Sequence, residues 1–198
     1  MNDLSIATAQ APVASCAMPP ARGILAAAEA MLPHLERGQR VDTPMLRAGM
    51  ESAFGASDAS GLWDWKKAYD VCEATTVLFL RKYGRAIFRQ ADTPVARLAA
   101  LSKIASLLPS HTRRSEESQT LQQFSTPIPL GLAALTAAAI TPDDVVLEPS
   151  AGTGLLAILA GISGGSLIPN ELADPRADLL PPLFPALSVT RFDAAQIH

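Results

Sequence analysis

A chain of 198 residues, 48% of them hydrophobic and with a formal net charge of −3, has room for one large domain or two small ones. Much of the apolar content is alanine, so the mean hydropathy of +0.20 does not describe a membrane protein; no window approaches the ~18 uninterrupted apolar residues of a spanning helix. Cys16 and Cys72 are too few for a disulfide framework or a metal knuckle, and no basic start precedes an apolar stretch, so no secretory signal is read and a cytoplasmic location is expected.

Charge is unevenly spread. Residues 1–114 hold 14 Lys/Arg against 10 Asp/Glu, whereas residues 115–198 hold 2 against 9. The front half is mildly basic and the back half acidic, and the front excess is too small to demand a nucleic-acid face. Residues 1–20 are small, polar and proline-bearing and read as a disordered tail. Residues 21–109 read as a helical domain. Its first helix is expected over 21–37, with Ile24, Leu25, Ala28, Met31, Leu32 and Leu35 on one face and Pro33 placed to kink it. Thr43-Pro44 supplies an N-cap with proline at the first helical position, for a helix that ends at Phe54, where Gly55 stops it. The longest helix is expected over 61–83: Leu62, Trp65, Tyr69, Cys72, Thr76, Phe79 and Tyr83 recur at helical spacing, and Gly84 reads as its stop. Trp63, Trp65, Tyr69 and Phe79 are read as packing residues. Thr93-Pro94 opens a helix to Leu108, closed by Pro109, which makes a bundle of about four helices.

Residues 110–123, SHTRRSEESQTLQQ, read as an interdomain linker. Arg113 and Arg114 are placed in it as solvated charges, and His111 has no spaced partner and is no catalytic candidate. From residue 124 the pattern changes. An alanine-rich helix is expected over 128–139, then a strand (144–148), a turn (149–153), a helix (154–162), a second strand (166–171), a helical turn (174–180) and a third strand (187–193). Alternating strand and helix means a parallel, doubly wound sheet. The fold class expected is α/β: an N-terminal helical bundle followed by an incomplete Rossmann-like parallel sheet over 124–198.

The three strands each end in an acid: Glu148, Glu171 and Asp193. Ligands of open parallel sheets sit at the carboxyl ends of the strands. Three carboxylates there suit a ligand rich in hydroxyl and amino donors, and Gly152 and Gly154 let backbone approach it closely. No Gly-Lys-Ser/Thr is present, which argues against a triphosphate loop. S-adenosylmethionine fits such a site, with a positive sulfonium and amine and a ribose with two hydroxyls to donate.

Leu147-Glu148-Pro149-Ser150-Ala151-Gly152-Thr153-Gly154 resembles the first motif of class I S-adenosylmethionine-dependent methyltransferases, in the form used by DNA adenine-N6 enzymes. Gln123-Phe124-Ser125-Thr126-Pro127 resembles the flanking motif that packs on the methionine end of the cofactor. Asn170-Glu171-Leu172 is similar to the acidic end of strand two, which holds the ribose hydroxyls, and Phe192-Asp193-Ala194 to the end of strand three, whose Asp meets the adenine amine. More narrowly, the chain resembles the N-terminal methylase region of bacterial strawberry-notch-like methylase/helicase proteins of phages and mobile elements. That resemblance extends into the helical half through Ala53-Phe54-Gly55-Ala56-Ser57-Asp58, Trp63-Asp64-Trp65-Lys66 and residues 111–118. It implies cofactor contacts from Phe124, Thr126, Pro127, Glu148, Ser150, Ala151, Gly152, Gly154, Glu171 and Asp193, no metal, and nucleic acid as the target.

The same resemblance implies a missing part. Adenine-N6 enzymes carry an Asn/Asp-Pro-Pro-Tyr/Phe motif after strand four that grips the flipped base. No such motif occurs here; Pro181-Pro182 lacks both flanking residues, and the sequence stops at His198 before a fourth strand. The expectation is a truncated methyltransferase-like protein with a cofactor half-site, weak S-adenosylmethionine binding and no catalytic residue of its own. The alternative is a stand-alone interaction protein of a mobile element that inhibits a host nucleic-acid defence complex. The bare edge of Val145-Val146-Leu147 is expected to be covered by a second copy, a partner, or the N-terminal helices.

Overall fold

A computed structural model describes residues 18–109 and 125–196; the expected tail up to residue 17, the expected linker with His111, Arg113 and Arg114, and Phe124 lie outside them. In chain order the described elements are α1 (Pro20–Glu36), α2 (Thr43–Phe54), a short 3₁₀ turn (Asp58–Ser60), α3 (Trp65–Gln90), α4 (Pro94–Ser106), α5 (Ile128–Ala138), β1 (Val145–Glu148), α6 (Leu155–Ile162), β2 (Ser166–Pro169), α7 (Asp174–Leu183) and a 3₁₀ turn (Ala194–Gln196). The fold is mixed α/β and helix-rich. Among the described residues no helix is long and apolar enough to cross a membrane.

Side-chain caps set most helix starts. Thr93 accepts the Ala96 N–H at 3.2 Å and opens α4 as expected. At α2 the expected cap shifts by one residue: Asp42 accepts the Met45 N–H at 2.9 Å, and Thr43 is already helical. The charged acceptor wins over the hydroxyl beside it because a carboxylate also favours the positive end of the helix dipole. The third helix starts later than expected, at Trp65, where Asp64 accepts the Lys67 N–H at 2.8 Å. Residues ahead of it are held otherwise, with Trp63 buried and its indole N–H donating to the Ala56 carbonyl at 2.7 Å.

The same helix also runs seven residues beyond the expected end, to Gln90. Gly84 does not stop it. A Cβ at Gly84 would run into the Ile162 side chain, so this glycine lets α6 come close to α3 rather than ending the helix. Its conformation is helical; it shows no positive φ, unlike the glycine that ends α2.

Helix α3 is the axis of the molecule. Residues 68–78 are buried all the way round, which a single apolar stripe does not convey. It packs against α1, α2 and α4 on the bundle side and against α6 and α7 on the other. Buried side chains from both halves, including Ile24, Leu80, Leu101, Ile128, Leu159 and Leu180, form one continuous core cluster. The face of α3 toward the second half is marked by Asp70, Glu73, Val77, Arg81 and Gly84, at the three- and four-residue spacing of one helical face. Asp70 pairs with Arg176 of α7 at 2.8 Å, and both side chains are buried. Arg81 donates to the carbonyls of Pro182 and Leu183 at 3.0 and 2.7 Å, closing the C-terminal end of α7. That cap, with Leu179, Leu180 and Leu183 wholly buried, carries α7 through Pro181 and Pro182 to Leu183, three residues past the expected end.

The sheet is smaller than expected. β1 and β2 pair in parallel, with Val145 opposite Ser166 and Glu148 opposite Pro169, and α6 makes the crossover. The expected third strand over 187–193 is reduced to one parallel bridge between Asn170 and Thr190. Asn170 explains the substitution. Its side chain is fully buried, its amide donates to the Phe192 carbonyl at 2.8 Å, and its carbonyl accepts the Phe192 N–H at 2.8 Å. A side-chain amide thus takes the place of the next ladder pair. The segment still lies on the far edge of β2 from β1, and Arg191 ties it to Asp174 and Asp178 of α7.

Val146 and Leu167 face α6 and the core, whereas Val145 and Leu147 of β1 and Ile168 of β2 are 68%, 49% and 45% exposed. The N-terminal helices therefore do not cover β1's outward face; they pack behind α6 and α7 instead.

Breaking a buried ion pair costs more than replacing it, because the surviving charge is left without its partner. Arg176→Met is expected to lower unfolding stability by about 3–5 kcal/mol, and Asp70→Leu combined with Arg176→Met by much less. Urea denaturation of the single and double variants checks this.

Candidate functional site

At the carboxyl end of β1 the chain turns through Pro149, Ser150, Ala151, Gly152, Thr153 and Gly154 before α6 begins. The turn is tied down at several points. The Ala151 N–H donates to the Asn170 carbonyl at 2.9 Å, and the Gly154 N–H to the Ala151 carbonyl at 2.8 Å. Gly152 and Gly154 hold φ of 58° and 90°. A Cβ at Gly154 would also meet the Phe184 ring. Backbone conformation requires both glycines, and the ring packed against Gly154 requires that one a second time.

A cavity of about 500 Å³ opens over this turn. Its walls include Thr126, Glu148, Ser150, Ala151, Gly152, Thr153, Glu171, Arg176 and Asp193. Seven of the ten residues named from the sequence therefore share one space: Thr126, Glu148, Ser150, Ala151, Gly152, Glu171 and Asp193. Two others support it from outside its lining. Pro127 precedes α5 and its carbonyl accepts the Leu130 and Gly131 N–H groups, and Gly154 caps α6 against Phe184. Phe124 lies outside the described residues.

The three acids differ. Glu171 is almost wholly buried, and its two oxygens accept the Gly152 N–H at 2.7 Å and the Ala173 N–H at 2.8 Å. Its first task is to hold the turn, though each carboxylate oxygen keeps a second acceptor site. Asp193 is exposed, and its oxygens accept from the Ala195 N–H at 3.0 Å and the Gln196 side-chain amide at 3.0 Å. Glu148 is half-buried. Burial pushes its carboxyl above the usual range, the Ser150 N–H pulls against that, and the Glu171 charge adds to the rise.

Further residues beyond the ten named shape this site. Leu172 and Phe192, beside Glu171 and Asp193, line the cavity and are 56% and 63% exposed. Behind the turn, the Thr153 hydroxyl donates to the Glu73 carboxylate of α3 at 2.6 Å, with both groups buried. Arg176 also lines the cavity; its Nη2 is spent on Asp70 and its Nε has no hydrogen-bond partner. Burial pushes the Asp70 carboxyl up, Arg176 pulls against it, and Glu73 one turn away adds to the rise. The signal for Asp70 and Glu73 was present as two carboxylates inside an apolar run that includes Val71, Cys72, Ala74 and Val77. Cys72, in that run, is buried, and burial and Glu73 push its thiol up to about 12, away from the thiolate form.

No protein-family model, curated protein or solved structure matches this chain.

Gly154→Ala is expected to cost about 1–2 kcal/mol from the left-handed backbone alone, and more from the contact with Phe184. The same change at Gly49, whose would-be Cβ meets only the flexible end of Met31 in mid-helix, is expected to be milder. Thermal melts of the two variants give the comparison.

Proposed function

We propose that this cavity binds S-adenosylmethionine or its demethylated product, and that the chain is a cofactor-binding module of the class I methyltransferase kind. The observation that carries the reading is convergence. A glycine turn after a parallel strand and three carboxylates from three successive segments open onto one cavity of about 500 Å³, a size that suits a small-molecule site. Glu171 and Asp193 keep acceptor capacity for ribose hydroxyls and an exocyclic amine. Leu172 and Phe192 offer apolar surface for a planar base beside those acids. Glu148 supplies negative charge toward a sulfonium or ammonium group. The sequence contains no Asn/Asp-Pro-Pro-Tyr/Phe motif, so no residue is assigned to grip a target base and methyl transfer is not assigned to this chain. When bound, the cofactor would bring an activated methyl group; this chain's residues hold and orient it. A Rossmann-like origin of the sheet, and a nucleic acid or a nucleic-acid-processing complex as the eventual target, belong to the same reading.

Isothermal titration with S-adenosylmethionine tests it. Saturable binding is expected, weakened about tenfold by Asp193→Ala, equivalent to ~1.4 kcal/mol. Binding that is absent, or untouched by that change, contradicts the reading. A pH series adds a sign. Glu148 favours a cationic ligand only when ionised, so affinity is expected to be full well above its raised pKa. It is lost as pH falls through that value, which lies above the ordinary 4.5. Glu148→Gln removes that dependence.

The exposed face of Val145, Leu147 and Ile168 favours a second reading, an interaction protein that docks another chain on its sheet. This reading does not need Gly152, Glu171 or Asp193, so variants at those positions separate the two.

A further inference from the structure

The glycine turn is held from two sides. On the ligand side, Glu171 takes the Gly152 N–H at 2.7 Å. Toward the bundle, Thr153, which also borders the cavity, donates its hydroxyl to Glu73 of α3 at 2.6 Å. Thr153 is 3% exposed and Glu73 6%, and 80 residues of chain separate them. One turn earlier on α3, Asp70 holds Arg176, which lines the same cavity from α7. Two consecutive turns of a bundle helix thus reach two different walls of the cavity.

We infer that Thr153 and Glu73 are a positioning pair, through which the helical bundle sets the conformation of the ligand-binding turn. A buried carboxylate and hydroxyl stabilise less than an apolar pair of the same volume would. What they add is orientation, because a hydrogen bond fixes where the Thr153 side chain, and the backbone of Gly152 and Gly154 on either side, must lie. Those flanking residues sit at positive φ, so the turn has other conformations open to it and needs an external anchor. Glu171 anchors only Gly152, and Asn170 only Pro149 and Ala151, so neither fixes the stretch between the two glycines. The bundle is then part of the site, acting without touching the ligand. For the ligand's identity this inference rests on the reading above; for the turn itself it does not.

The test is hydrogen exchange of the ligand-free protein, read on the segment that spans Glu148 to Leu156, in wild type, Thr153→Val and Thr153→Ser. The expected result is exchange about tenfold faster in Thr153→Val, with the segment spanning Pro20 to Glu36 unchanged and near-wild-type protection restored in Thr153→Ser. Affinity for S-adenosylhomocysteine is expected to fall about tenfold in the valine variant and to recover in the serine variant. If the valine variant does not fold, Thr153→Ala removes the same hydroxyl without added bulk and is read in the same way. Unchanged turn exchange in the variant lacking the hydroxyl overturns the inference, as does a serine variant as loose as the valine. If wild type binds no nucleoside at all, the cofactor reading fails, and turn exchange alone still decides whether Thr153 and Glu73 position this segment.

Discussion

Two carboxylates on one face of α3 hold the second half of the molecule in place. Asp70 reaches Arg176, and Glu73 reaches Thr153. Burying four polar side chains is expensive, and it is tolerated only because each finds a partner in the same place. Around them the interface is apolar or very small. Gly84 admits Ile162, and Val77 and Leu80 are wholly buried. Further along the same face, Arg81 closes the end of α7. Loss of register along α3 by even one residue would turn these side chains away from all their partners at once. The arrangement therefore specifies how the halves meet more strictly than hydrophobic contact could.

This explains why a molecule that reads as two units from its sequence has one core. The composition shift between the basic front and acidic back is real, yet the buried residues run across it without a break. The acidic half has too few elements of its own to enclose α6 and α7. β1 and β2 cover one side of α6, and α3 and α5 cover others. The bundle does for these helices what more of a sheet layer does in larger α/β folds. The outward face of the sheet leaves Val145, Leu147 and Ile168 exposed.

Local signals were legible where local chemistry decides. Thr93 capped its helix, Gly55 followed the end of α2, and the strand–turn–helix at residues 145–162 stood where its apolar run and glycines put it. Of the seven named site residues that share the cavity, Glu148, Ser150, Ala151, Gly152 and Glu171 came together because the chain leaves β1 and β2 at the same edge of the sheet, while Thr126 arrives from the start of α5 and Asp193 from the segment bridged at Thr190. What the pattern hid were the tertiary decisions. Gly84 carries the same letter whether it ends a helix or admits a neighbour, and only the position of Ile162 tells which. A third strand was expected over 187–193, but Asn170 satisfied Phe192 through its side chain and left one bridge. Thr153 stands between two glycines and was not among the named site residues; its partner lies 80 residues away. The acids at 70 and 73 were visible in an apolar run, but nothing local says which half of the chain they serve.

If α3 locks the halves together, they must unfold together. Differential scanning calorimetry of the whole chain measures this directly. The account predicts one transition whose calorimetric enthalpy equals its van't Hoff enthalpy, the mark of a single cooperative unit. Two resolved transitions, or a calorimetric enthalpy well above the van't Hoff value, would mean that the bundle and the glycine-turn half melt independently, and would contradict the claim that the first is the back wall of the second.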